Sequence, residues 1–157
     1  MNATSDPTSA FAAARHTRLY HRLQLAAHAV HRRSDRAMLA GAGLTTAQVA
    51  VLTVLTEAGP SSQRAIAARL GVNEPAVTEM VRRLVAAGCV SKEVDPDDAR
   101  ARVVALTDHG RSLLPRTRPP FATVNQDFAT ALTAEEVELL AGLLDRIHAQ
   151  FTTGAAP

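Results

Sequence analysis

A mainly α fold with one small β-hairpin is the class this sequence predicts, and three observations predict it. Two short apolar patterns of helical period meet across a tight turn at Gly71-Val72. Two alternating segments follow, separated by the turn residues Asp95-Pro96-Asp97-Asp98. Hydrophobic residues make up 46% of the chain and aromatics only 3%, so a core must come from Ala-, Leu- and Val-rich helices that cross closely. The 157 residues suit one domain with extensions, and no internal repeat is visible.

Taken in order, residues 1–9 are rich in Asn, Thr, Ser, Asp and Pro and are expected to form a flexible N-terminal tail. Segment 10–43 carries a long helical pattern, strongest over residues 11–39, with Leu19, Leu23, Ala26, Ala27 and Val30 on one side. Gly41-Ala42-Gly43 stops it. Thr45 and Gln48 are spaced for a capping box, and Val49, Leu52 and Leu55 give the next helix its core face. A helix over 63–70 presents Ala65, Ile66, Ala67 and Leu70 inward and ends at Gly71, a residue suited to the left-handed conformation. Asn73 then caps a second helix, with Pro75 in a first turn where a missing N–H costs nothing. Along it Val77, Val81, Leu84 and Val85 face inward, leaving Glu74, Ala76, Thr78, Glu79 and Arg82 on the outer side.

Past Gly88 the period shortens to two. Segments 89–94 and 101–106 read as strands, and the tip between them presents Arg100, with Arg102 two residues on and so expected on the same strand face. Thr107 caps a further helix with Gly110 in its first turn. Within 111–128, Pro115, Pro119 and Pro120 each remove a helix bond at roughly 3 kcal/mol in a helix interior. A short helix, a break near 118–120 and a resumed helix from about Phe121 are therefore expected. Thr133-Ala134-Glu135-Glu136 makes another capping box, opening a helix over 137–151. Its Leu139, Leu140, Leu143, Leu144 and Ile147 form a face too widely apolar for a lone surface helix. Residues 152–157 read as a second loose tail.

Two helices joined by so short a turn and followed by a hairpin make a winged helix-turn-helix, in which the second helix can enter a major groove and the wing can reach a minor groove. The ordered set Leu44-Thr45, Ile66-Ala67, Leu70-Gly71, Val77-Thr78, Arg83-Leu84, Gly88-Cys89-Val90, Asp95-Pro96-Asp97-Asp98-Ala99-Arg100 and Leu106-Thr107-Asp108-His109-Gly110 resembles the MarR family of transcriptional regulators. The similarity covers about half the chain in order and spacing and extends more weakly to both ends. It implies a DNA-binding domain at 44–110, between an N-terminal dimerisation helix at 10–43 and C-terminal dimerisation helices with a proline break at 111–151. A symmetric dimer of this kind holds two reading heads about 34 Å apart and implies a pseudo-palindromic operator in double-stranded DNA. The resemblance also implies a repressor released by a small aromatic or phenolic effector. The chain departs from the family where the long helix after 106–110 is normally uninterrupted, and Ala99 stands where a second basic wing residue is frequent.

Charge alone would not have named DNA. The pI of 9.3 follows from a net charge of only +2. Residues 44–111 hold 8 basic and 8 acidic side chains. Position matters more, since Arg64, Arg69, Arg82, Arg83, Lys92, Arg100 and Arg102 can gather on one side. The candidate DNA-contacting residues are Asn73, Glu74, Pro75, Ala76, Thr78, Glu79, Arg82, Arg83, Arg100 and Arg102, with Asp98 orienting the wing. Thr78 suits a base or a phosphate; Arg82 and Arg83 suit phosphates, with one of them able to pair with Glu79. Glu74 and Glu79 can repel phosphates or accept from a cytosine amino group.

His21, His28, His31 and Asp35 fall along one helical stripe. The stripe is a polar helix face or interface edge, a pH sensor, an effector contact, or, through His28, His31 and Asp35, a metal site. No Cys or carboxylate cluster completes a tetrahedral set, so no metal or other cofactor is expected. Cys89 is expected to be buried and unreactive, and a single Cys cannot form an internal disulfide. No apolar run reaches the ~20 residues of a membrane span and no signal-peptide core follows the polar start, which points to a cytoplasmic protein. No paired nucleophile and base, Gly-rich phosphate loop or complete metal motif supports an enzyme. Beside the regulator stand two other readings: one answering to metal or pH through the His21/His28/His31 stripe, and a winged helix serving protein contacts without DNA.

Overall fold

The computed structural model describes residues 18–95, 98 and 100–153. Helix α1 (Leu19–Ala42) stops where Gly43 adopts φ 71° and its amide donates to the Leu39 carbonyl. Gly41 lies inside the helix instead of ending it, and Pro120 occupies its open side, its Cγ 2.6 Å from where a Cβ would stand. Residues 11–17 of the expected first helix, and the tail residues 1–9 and 154–157, lie outside the described residues.

Helix α2 (Thr46–Ala58) opens with the expected capping box: the Gln48 amide donates to Thr45 Oγ1 at 3.3 Å, and the Thr45 amide donates to Gln48 Oε1 at 2.8 Å. Val49, Leu52 and Leu55 are buried, and so are Val51 and Val54. The helix is therefore covered on more than one side, and it packs against α1 and the elements that follow.

Helices α3 (Gln63–Leu70) and α4 (Glu74–Ala86) are joined through Gly71, which is left-handed at φ 64°. Ser62 caps α3 and Asn73 caps α4, the latter accepting from the Ala76 amide at 2.9 Å. Two sequence expectations shift by one position. Ala65 is exposed rather than part of the apolar face of α3, where only Ile66 and Ala67 are fully covered. On α4 the buried stripe is Val77, Val81 and Leu84 with Met80 half-covered, while Val85 is 41% exposed. Val85 lies about 100° around the helix from Leu84 and falls off the edge of a stripe set by i, i+3, i+4 and i+7.

Strands β1 (Val90–Val94) and β2 (Arg102–Leu106) pair antiparallel with Val90 opposite Leu106 and Val94 opposite Arg102. The expected alternation holds poorly in β2, where Val103 to Leu106 are all buried. Ser61 exchanges two backbone hydrogen bonds with Val104 on the other edge, at 3.0 and 2.9 Å, and α2 packs on the strand. Arg100 stands in the turn before β2, so the shared strand face expected for Arg100 and Arg102 does not exist.

Helix α5 (Asp108–Leu113) runs into a 3₁₀ turn (Leu114–Thr117), then α6 (Arg118–Ala131) and α7 (Ala134–Thr153). The break thus comes at 114–117, earlier than 118–120, and the helix resumes at Arg118 rather than near Phe121. Pro119 and Pro120 sit in the first turn of α6, where their absent N–H groups have no intrahelical carbonyl to miss. Thr133 and Glu136 form the expected capping box before α7, which begins at Ala134 and runs on to Thr153, into the expected tail.

The junction after β2 is closely packed. Thr107 Oγ1 accepts from the Gly110 amide at 3.0 Å and shares its proton between the Gly88 and Cys89 carbonyls at 2.7 and 2.9 Å. A Cβ on Gly110 would collide with the Cys89 carbonyl oxygen, which is backbone and cannot turn aside. Gly110→Ala is therefore expected to destabilise the protein by about 2 to 3 kcal/mol, read as a lowered midpoint in urea unfolding. An unchanged midpoint would show that the junction has slack.

Candidate nucleic-acid interface

The outer face of α4 begins with Asn73, whose side chain is engaged in capping, and with Glu74, Pro75 and Ala76, all exposed. Thr78 follows on the same face. Its hydroxyl donates to Gln63 Oε1 at 2.7 Å, a contact across the two helices between residues 15 apart in sequence. Helical periodicity within either segment gives no signal of this pairing, so Gln63 escapes a reading of the sequence alone.

The residue after Thr78, Glu79, holds the two arginines one turn further along. Arg82 approaches its carboxylate in a fork, Nε to Oε2 and Nη2 to Oε1, each at 2.7 Å, while Arg83 Nε reaches Oε1 at 2.8 Å. Where one pairing was expected the carboxylate makes two. Charge-assisted bonds of this kind hold the Glu79 carboxyl at about 2, with Arg82 contributing most and Arg83 next, and Glu79 in turn raises Arg82. Glu79 is thus a fixed counter-charge that gathers two guanidinium groups on the exposed face and stands between them.

In the wing, the Asp98 carboxylate accepts from the Arg100 backbone amide at 2.9 Å, and the Ala101 amide donates to the Asp98 carbonyl at 2.9 Å. Asp98 therefore shapes the wing through the main chain. The Arg100 and Arg102 side chains are exposed; Pro96, Asp97 and Ala99 lie outside the described residues.

The histidine stripe does not assemble a metal site. His21 and His28 are exposed on α1. His31 Nε2 lies 3.5 Å from Asp35 Oδ2, and Asp35 Oδ1 accepts from the Thr46 amide at 2.8 Å, so Asp35 serves the N-terminus of α2. Partial burial pushes the Asp35 carboxyl up, but hydrogen bonding from Thr46 and the nearby His31 outweigh it and leave it lowered. Among the described residues no group of three or more His, Cys, Asp or Glu side chains could hold a metal ion, which corrects the candidate set His28, His31 and Asp35. Cys89 is 1% exposed and burial pushes its thiol up, as expected of an inert core cysteine.

Away from the reading face, α1 and α6 flank an apolar cleft of about 250 Å³, lined by Ala29, Val30, Arg33, Val124, Asp127, Phe128 and Ala131. An Arg33–Asp127 ion pair at 2.8 Å crosses its wall. Among the described residues no single helix is long and apolar enough to cross a membrane; α1 and α2 meet that length and composition only jointly, across a 68° bend.

This arrangement matches known proteins. The MarR family model, described as "MarR family", matches residues 42–101. The transcriptional regulator HosA of Escherichia coli O111:H- is 31% identical over 104 residues, 66% of this chain and 77% of that protein. The HTH-type transcriptional regulator TtmR of Methylorubrum extorquens is 35% identical over 131 residues, 80% of this chain and 65% of that protein. Among solved structures, a mutant MarR from Escherichia coli complexed with operator DNA superposes with a TM-score of 0.68 at 28% identity, covering 80% of this chain and 93% of that one. The chain spans 65% of the length of two of the curated relatives it matches, TtmR being one.

The Glu79 clamp is open to direct measurement. In low salt the Glu79 carboxyl is expected to titrate near 2 rather than at the ordinary 4.5, so the clamp is complete above pH 4.5 and opens only as the pH falls through about 2. In the double variant Arg82→Ala, Arg83→Ala the NMR midpoint should return towards 4.5; a midpoint near 4.5 in the parent would mean the pairs do not persist in solution.

Proposed function

The chain belongs to the MarR family of transcriptional regulators, and on that footing we propose that it is a homodimeric, sequence-specific repressor, released from a pseudo-palindromic operator by a small aromatic effector. The relatives are regulators rather than enzymes. One observation carries the DNA-binding part of the proposal. The exposed face of α4 sets Thr78, Arg82 and Arg83 behind a capped helix start, with the exposed Arg100 and Arg102 on the wing that follows. A protruding helix of this width fits a major groove, and a hairpin arginine beside it fits the adjacent minor groove. Asn73, Glu74, Pro75, Ala76 and Glu79 complete the reading surface, and Asp98 shapes the wing. The domain spans 44–110, and it works on double-stranded DNA in the cytoplasm.

Dimerisation is supported by what α7 leaves uncovered. Val137, Leu140, Leu143, Leu144 and Ile147 are each 36–42% exposed and Leu139 is 64% exposed, along a helix whose main packing partner among the described residues is α6. On α1, Leu19, Leu23 and Leu25 are exposed as well. Apolar stripes this long on two helices call for a partner, and a second copy held by the segments 10–43 and 111–151 would supply one. The apolar cleft between α1 and α6 is large enough for a small aromatic ring system, and its place between two dimerisation helices would let an effector alter the spacing of the reading heads.

The test is binding of purified protein to its own upstream region against scrambled DNA across a salt series. Specific binding with a dimer-sized footprint supports the regulator; equal and weak binding to both would turn the winged helix towards protein contacts. Arg100→Ala should lose about 1 to 3 kcal/mol of operator affinity, and parental affinity at matched salt would remove its groove role. Leu143→Glu combined with Ile147→Glu should yield monomer in sedimentation, with at least roughly tenfold weaker operator binding, about 1.4 kcal/mol.

A further inference from the structure

We propose that Gln63 and Thr78 act as one composite reader that selects an adenine in each half of the operator, an inference that rests on the DNA-binding function proposed above. Thr78 is exposed on the outer face of α4, four residues from both Glu74 and Arg82 and so in line with them. A threonine hydroxyl has one proton, and Thr78 gives it to Gln63 Oε1 at 2.7 Å. Its oxygen is left with lone pairs only, an acceptor towards any base. The Gln63 amide nitrogen has no hydrogen-bond partner among the described residues, and it carries two protons to donate. Two helices thus bring an acceptor and a donor side by side, held in register by their own hydrogen bond.

Base chemistry decides what such a pair fits. Adenine presents a donor at N6 and an acceptor at N7 in the major groove, whereas guanine presents two acceptors, thymine one acceptor with a methyl, and cytosine one donor. Only adenine answers both groups: N6 donates to Thr78 Oγ1 and N7 accepts from Gln63 Nε2. Guanine would set its O6 against the Thr78 lone pairs. The arginines one turn further along, which would favour guanine, are gathered by Glu79.

Sites selected from randomised duplexes by the parent protein, Gln63→Ala and Thr78→Val, followed by affinity measurements with 7-deazaadenine in place of the selected adenine, test the proposal. The parent should show an adenine at one position of each half-site and bind the 7-deaza duplex about tenfold more weakly. Gln63→Ala should bind the two duplexes equally, and both variants should lose the preference at that position alone. A uniform loss of affinity with the selected sequence unchanged would make the contact a brace between helices and overturn the proposal, as would a persistent adenine preference in Gln63→Ala. A parent protein that selects no sequence at any position would overturn it by removing DNA reading itself, an outcome distinguishable from the loss of one position.

Discussion

The structure turns on the hydroxyl of Thr107. It caps α5, binds the carbonyls at the end of the α4–β1 connection, and sits three residues before a glycine whose missing Cβ lets α5 rest on Cys89. The Thr107 amide closes the same contact by donating to the Cys89 carbonyl at 3.1 Å. The start of β1, the end of β2 and the start of α5 are thereby fixed to one another within a few ångströms. Loosening them would leave α4 and the wing without a common frame, because the hairpin is only two strands with one added bridge and would be marginal alone.

Within that frame a module with equal numbers of acidic and basic residues gathers two arginines on one exposed helix face. Glu79 stands in contact with both arginines, so its carboxylate offsets part of their charge and at the same time fixes where the two guanidinium groups stand. The arginine side chains are 60–67% exposed and that of Glu79 44%, so the clamp adds little stability and acts by narrowing the arrangements open to the arginines. A pre-arranged donor set loses less conformational entropy on binding than a free one does.

The prolines after α5 shape the other half of the molecule. They allow a sharp 3₁₀ turn at 114–117 and then start α6 without strain, and Pro120 fills the space over Gly41 so that α6 lies close against α1. A side chain at position 41 would hold the two helices apart. The apolar cleft lies between the two helices that this contact brings together.

Local signals alone were enough for the elements and their order. Caps at Thr45, Asn73, Thr107 and Thr133 and the glycine stop at 71 are written in residues within four positions of each other, and each falls where the structure has it; the stop written as Gly41-Ala42-Gly43 is made by Gly43 alone. Packing overrode the local pattern in two ways. Stripe edges shifted at Ala65 and Val85, because burial depends on the width of the neighbour and not on period alone. The break moved to 114–117, because a proline is harmless in a first turn and only the packed chain decides which turn is first. Contacts between distant positions came from the fold: Gln63 with Thr78, Asp35 with Thr46, Ser61 with Val104, Gly41 with Pro120. Periodicity places a side chain on a face, but only the packing of one helix on another says which side chain that face will meet.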